Sequence, residues 1–249
     1  LSTWDRAIEL TEKLIAAKQK RKQALMQQLL TGKVRFGKTA SGTSDWKQLP
    51  LAELTEDKRP ICYGVIQPGK EDPEGVQLIR GGDIFGGKIS SSLRTISATV
   101  SEQYKRTVLK GGELLLGLVG YPGETALVPD ELAGANVARQ VAMITLRPEV
   151  NKEYVQQYLG SPIGKAVLLR PTIGSAQQVI NIAEVKKVKV PFPSASEQRS
   201  IAEVLKAADR EVELFRCKKK WLQQQKKGLM QQLLTGKVRV KVDAETEQV

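Results

Sequence analysis

The chain contains no histidine and only two cysteines in 249 residues. Without histidine, the commonest general acid and base at neutral pH is missing. Cys62 and Cys217 lie in different segments with no metal-ligand spacing, as expected of reduced thiols in a cytosolic protein. There is no run of eighteen apolar residues, and Leu1-Ser2-Thr3-Trp4 reads as neither a secretory nor a transit signal, so nothing points to membrane or export. A glycine-rich methyl-donor loop is absent, as are Asn-Pro-Pro and Asp-Pro-Pro. Two catalytic patterns match by letters and fail on context. Gly32 to Thr39 spells a P-loop, but a helical pattern precedes it where a strand is required, and small polar residues follow where a helix should begin. Pro129-Asp130 with Glu184-Val185-Lys186 spells a nuclease-like set whose parts lie far apart. The chain reads as non-catalytic by itself.

What is present is a repeat. Leu25-Met26-Gln27-Gln28-Leu29-Leu30-Thr31-Gly32-Lys33-Val34-Arg35 recurs without mismatch as Leu229 to Arg239, and the ungapped match extends back to Asp5-Arg6 and Asp209-Arg210. The repeated element spans about 35 residues and the copies flank one unrepeated block, so the chain is no solenoid. Apolar residues recur every seven positions in both copies: Leu1, Ile8, Ile15 and Leu29 in the first, Ile201, Ala208, Phe215, Leu222 and Leu229 in the second. Both arms are therefore predicted to be amphipathic helices, each a rod of roughly 45 to 50 Å, closed at Gly32 and Gly236. Lys18, Lys22, Lys219 and Lys226 interrupt the apolar stripe, and such interruptions fix register at some cost in stability. General packing does not require identical surface glutamines, so the repeat predicts recognition of both arms by one kind of partner.

The formal charge of +12 indicates an acidic partner, and it is unevenly spread: +6 in residues 1 to 38, +7 in 200 to 241, −3 in the tail from Val242 and only +2 in 39 to 199. The middle block reads as mixed α and β. Strands are predicted at Gln77–Arg80, Thr95–Val100, Glu113–Val119, Glu124–Val128, Val141–Leu146 and Val185–Val190, with a helix at Lys152–Leu159 that Pro162 stops or re-aims before Ile163–Leu169. The pairs Gly81-Gly82, Gly86-Gly87 and Gly111-Gly112 predict tight turns, and residues 36–45 a hinge. The fold class that follows is α+β, one mixed domain flanked by two long helices.

The block Pro191-Phe192-Pro193-Ser194-Ala195-Ser196-Glu197-Gln198-Arg199-Ser200-Ile201-Ala202-Glu203-Val204-Leu205, with the duplicated arm, resembles the specificity subunit of type I restriction-modification enzymes. Ile79-Arg80-Gly81-Gly82-Asp83-Ile84, Gly112-Glu113-Leu114-Leu115 and Asn136 to Val141 resemble that family's target recognition domain. The resemblance covers nearly the whole chain, and it implies a conserved helical region at 1–35, a linker at 36–45, a target recognition domain at 46–193, a second helical region at 194–236 and a tail at 237–249. The two helices are expected to pair as an antiparallel coiled coil. The function implied is reading one half of a bipartite target in double-stranded DNA, with no cofactor on this chain, S-adenosylmethionine on the partner modification subunits, and the restriction subunit beyond them. Family members alternate two recognition domains with two helical regions, whereas this chain holds one and is expected to begin partway through a helical region, as either the C-terminal half of a longer subunit or a half-subunit. If it stands alone as a half-subunit, a homodimer is expected to read the same half-site twice in inverted orientation.

A DNA-binding domain with a balance of only +2 has to gather its basic groups on one face. Candidate contacts chosen by side-chain chemistry are Arg80, Lys88, Ser90, Arg94, Tyr121, Arg139, Gln140, Thr172, Ser175, Gln177 and Gln178. Leu25, Gln28 and Leu29, with Leu229, Gln232 and Leu233, are the candidates for docking modification subunits. A coiled-coil scaffold or inhibitor that binds only proteins is the alternative reading.

Overall fold

The computed structural model describes residues 1–36, 46–170 and 179–239. Nearly all of the expected hinge lies outside the described residues, as do Thr172, Ser175, Gln177 and Gln178. The described residues form two compact units, one from Leu1–Ala24 with the described chain from Lys206 onward, the other from the described residues within Leu25–Leu205.

In the larger unit, the end of helix α1 (Ser2–Leu29) supplies Met26 and Leu29, and Leu30 follows, to a core that includes Trp46, Leu51, Leu54, Ile201 and Leu205. Strand β1 (Lys47–Pro50) precedes β2 (Cys62–Tyr63), β3 (Val76–Ile79), the hairpin β4 (Ile84–Phe85) and β5 (Lys88–Ile89), and β6 (Arg94–Ile96). Helix α2 (Ala98–Gln103) then leads to β7 (Leu114–Gly117), β8 (Thr125–Leu127), β9 (Asn136–Val137) and β10 (Val141–Ile144). The main sheet is antiparallel in the order β2-β10-β7-β8, and a second has the order β6-β3-β9 with β3 and β9 parallel. Leu114 and Leu116 face one core and Leu115 another. Both faces of β7 are covered, which explains its unbroken apolar run.

Helices α3 (Lys152–Gly160) and α4 (Pro162–Leu169) cover the sheet, with Ser161 as the hinge residue whose Oγ accepts from the Gly164 N–H at 3.1 Å. Two predicted strands are corrected. Beyond β6 the segment through Val100 is helical, because the Ser97 Oγ accepts the Val100 N–H at 3.3 Å and caps α2. The stretch 185–190 divides into helix α5 (Ile182–Lys187), capped by the Asn181 side chain, and strand β11 (Lys189–Phe192). In both places a capping side chain outweighs the β preference of valine. Strand β11 pairs antiparallel with β1, which brings the domain's entry and exit together, and Tyr154 and Tyr158 donate their hydroxyls to the carbonyls of Pro191 (2.9 Å) and Lys189 (3.1 Å).

That junction explains the Glu-Gln pair in the 191–205 block. Helix α6 (Ala195–Leu234) starts where the Ser194 Oγ accepts the Glu197 N–H at 3.3 Å. The buried Glu197 carboxylate accepts two hydrogen bonds from Arg35, at 2.9 and 3.0 Å, and one from the Trp46 indole at 3.1 Å. The Arg35 guanidinium also lies over the Trp46 ring, 5.3 Å from its centroid. Gln198 donates to the Pro193 carbonyl and accepts from the Asn151 N–H. These two side chains fasten the end of the first repeat, the start of the domain and the N-terminus of α6 into one unit.

In the smaller unit, α1 and α6 pack antiparallel along the predicted seven-residue stripes. The four lysines that break those stripes make the interhelical ion pairs: Lys18–Glu211 and Lys22–Asp209 at 2.6 Å, Lys219–Glu12 at 2.7 Å, and Lys226–Asp5. Their stems lie in the seam, and partly exposed pairs of this kind add little net stability, so their main effect is on register. The Lys18 ammonium holds the Glu211 carboxyl below its ordinary value through a hydrogen bond. Lys22–Asp209 and Lys226–Asp5 are the same bridge made twice, because each lysine and each aspartate is the other's counterpart in the repeat. The helix pair therefore has internal pseudo-twofold symmetry. With 40 residues α6 is about 60 Å long and α1, with 28, about 42 Å, because the Glu-Gln block continues into α6. Gly32 and Gly236, at φ 72° and 69°, follow the helix ends as predicted. No helix among the described residues is long and apolar enough to cross a membrane.

Candidate nucleic-acid interface

Three loops meet beyond the end of β7. The β4–β5 hairpin turns on Gly86 and Gly87, at φ 59° and 83°, the two-residue geometry in which both central residues need positive φ. Its tip is held from outside: the Gly86 N–H donates to the Glu124 carboxylate at 2.9 Å, and Gln156 donates to the Gly87 carbonyl at 3.3 Å. Glu124 is fixed in turn by an ion pair with Lys165 of α4. The second loop joins β7 to β8 and carries Tyr121; the third precedes β10 and carries Arg139 and Gln140. The Gln140 carbonyl accepts from Leu118 at 2.8 Å and Val119 at 3.4 Å, and Gly81 sits against both Val119 and Gln140 with no room for a side chain.

This packing projects an aromatic pair into solvent. Phe85, 68% exposed, and Tyr121, 53% exposed, meet edge to face with centroids 6.0 Å apart. Large aromatic faces left open on rigid loops are suited to contact with bases or thymine methyl groups. Arg80, in the connection between β3 and β4, is pre-oriented. Its backbone N–H and guanidinium donate to the nearly buried Asp83 carboxylate at 2.8, 3.1 and 3.1 Å. That hydrogen bond and the carboxylate's charge raise the Arg80 pKa further. Nη1 carries no hydrogen bond among the described residues and remains for an outside acceptor.

The structure thus gathers Arg80, Tyr121 and Gln140, with Arg139 exposed beside them and Lys88 opposite Phe85 in the hairpin. Ser90 and Arg94 are engaged in the fold: Ser90 closes a local turn with Ser92, and the Arg94 guanidinium donates to the Gly69 carbonyl. Sequence reasoning missed Phe85 and Glu124. The signal for Phe85 was its place directly before the Gly86-Gly87 turn, where alternation cannot decide which face it takes. Of the docking candidates, Leu29 lies inside the core at 3% exposure with Leu25 packed against it, while Gln28 and Gln232 are exposed and Leu229 and Leu233 half-buried. Asp130 lies against Gly111, and Glu184 pairs with Lys187. No group of three His, Cys, Asp or Glu among the described residues is placed to hold a metal ion.

A mixed domain that presents rigid loops and continues in sequence into a pseudo-symmetric helix pair has the architecture of a specificity subunit. The comparisons agree: the family model described as the type I restriction modification DNA specificity domain matches residues 44–224, and the chain belongs to that family. The type I restriction enzyme EcoBI specificity subunit of Escherichia coli is 34% identical over 161 residues, 63% of this chain and 33% of that protein. The MjaVIII specificity subunit of Methanocaldococcus jannaschii is 28% identical over 259 residues, 97% of this chain and 59% of that one. The S subunit structure from M. genitalium shares the fold with a TM-score of 0.59 at 14% identity, covering 92% of this chain and 57% of that chain. The HsdS structure from Thermoanaerobacter tengcongensis gives 0.56 at 17%, covering 93% and 56%. The chain therefore spans between a third and three fifths of the length of these relatives.

Proposed function

We propose that this chain is the DNA-reading part of a type I restriction-modification complex. Its recognition domain, 46–193, reads one half of a two-part target in double-stranded DNA. The helical regions 1–35 and 194–236 hold that domain at a set distance from a second one and dock modification subunits through exposed faces that include Gln28 and Gln232. Methyl transfer from S-adenosylmethionine, and cleavage, belong to partner subunits in the cytoplasm. The observation that carries the reading is the exposed Phe85–Tyr121 pair on braced loops beside Arg80, Arg139 and Gln140.

The need for a second domain rests on the repeat. Leu29 and Leu30 are 3% and 0% exposed in the first copy, whereas in the second Leu234 is 81% exposed, and Arg239, the counterpart of Arg35, has no ion-pair partner among the described residues. By the pseudo-twofold of the helix pair, the second copy is a seat for another recognition domain. A second copy of this chain would supply it in a homodimer. Sedimentation at micromolar concentration is expected to show that dimer, and a monomer throughout would remove it.

For the interface, Arg139→Ala and Tyr121→Ala are each expected to reduce preference for the cognate duplex by about 1–3 kcal/mol, with a smaller loss on random duplex. Equal losses on both, in competition binding, would reduce these side chains to phosphate contacts.

A further inference from the structure

The free edge of the main sheet carries a concentration of cations that no motif announces. Two open clefts of about 530 and 510 Å³ share Cys62 and Arg106, and so run together past β2. Lys58, Arg59, Lys105, Arg106 and Lys110 line the first, Lys186 joins in the second, and among the described residues no acidic side chain lines either. Arg59 is fixed as a wall, donating to the Glu113 carboxylate at 2.8 Å and the Val108 carbonyl at 2.9 Å. Lys105 pairs with Glu102 at the surface. Lys58, Arg106, Lys110 and Lys186 have no ion-pair partner among the described residues, and the first three are exposed.

Residues 39–199 carry a balance of only +2, so this gathering is local segregation rather than general basicity. Four cations converging beyond the two that are paired raise the local potential and favour a polyanion. Besides the cations the walls offer Gln103, Tyr63 and Tyr104 among aliphatic groups, and the Thr107 hydroxyl is already engaged with the Tyr104 carbonyl and Asn136, so the cationic groups dominate what the groove presents. The groove also adjoins the reading loops: Tyr63 pairs with Ala142 of β10, and the Arg139 N–H donates to the Val65 carbonyl at 2.9 Å.

We propose that this groove is a track for the sugar–phosphate backbone of DNA, in which Lys58, Arg106, Lys110 and Lys186 hold successive phosphates while the Phe85–Tyr121 loops address the bases. The proposal rests on the DNA-reading function above. It separates two sets of residues, one setting affinity and one setting sequence preference.

The test uses the full chain carrying Lys58→Gln, Arg106→Gln and Lys110→Gln together, titrated with the duplex the parent chain selects and with random duplex over a salt series. Both affinities are expected to fall by the same factor, roughly tenfold or more. The slope of log K against log salt should become shallower by about one unit for each phosphate no longer neutralised, ~3 in all, with the cognate-to-random ratio unchanged. A Lys58→Arg, Lys110→Arg variant keeps the charge and is expected to bind as the parent does. Unchanged affinity and slope in the triple variant would overturn the groove while leaving the DNA-reading function intact, provided the parent still prefers its cognate. A lost preference at unchanged slope would also overturn the groove. A parent chain that binds no duplex would overturn both proposals.

Discussion

Leu30→Ala is expected to lower the unfolding free energy by about 3 kcal/mol, and Leu234→Ala, in the same eleven-residue setting, by no more than ~0.5 kcal/mol. Sequence alone makes the two positions equivalent. Structure separates them, because Leu30 is wholly buried against the domain core and Leu234 is 81% exposed. Removing a buried leucine costs both the transfer of its carbons and the cavity left behind. Removing an exposed one costs neither. The equivalence should return once a second recognition domain covers the second repeat, where Leu234→Asp is expected to abolish the association. Chemical denaturation of the two alanine variants checks the first part, and equal losses would mean that the second repeat is already covered within this chain.

The second large effect concerns two adjacent glycines. A Cβ on Gly81 would lie 2.2 Å from the Val119 carbonyl oxygen and 3.3 Å from the Gln140 Cβ. Neither neighbour is the loose end of a side chain, so Gly81→Ala has to push apart the loops that carry Arg80, Tyr121 and Gln140. We expect a cost of about 3 kcal/mol in stability, together with loss of cognate preference. A Cβ on Gly82 meets nothing within 4 Å. Gly82→Ala should stay within about 0.5 kcal/mol of the parent and keep its preference. Denaturation midpoints and duplex competition on the pair give the comparison.

Much of this architecture was legible because it is periodic. The seven-residue stripe predicted both helices, and the lysines breaking it proved to be the ones that bridge α1 and α6. Strands β7, β8 and β10 declared themselves by short apolar runs set off by glycine or proline. Helices α2 and α5 were hidden because their starts depend on single capping contacts from Ser97 and Asn181, which look like ordinary loop residues between β-favouring neighbours. Glu197 was visible as a letter in a family block but not as the acceptor joining Arg35 and Trp46, partners far away along the chain. The basic groove was invisible for the same reason, since Lys58, Arg106 and Lys186 come from three separate segments and a balance of only +2 across residues 39–199 hides them.

The central claim is that this chain reads DNA sequence through one recognition domain. Selection of bound duplexes from a randomised pool, followed by sequencing, tests it most directly. The account predicts enrichment of one short contiguous block, repeated in inverted orientation if two chains assemble. A bound pool as random as the input at every salt concentration would contradict it.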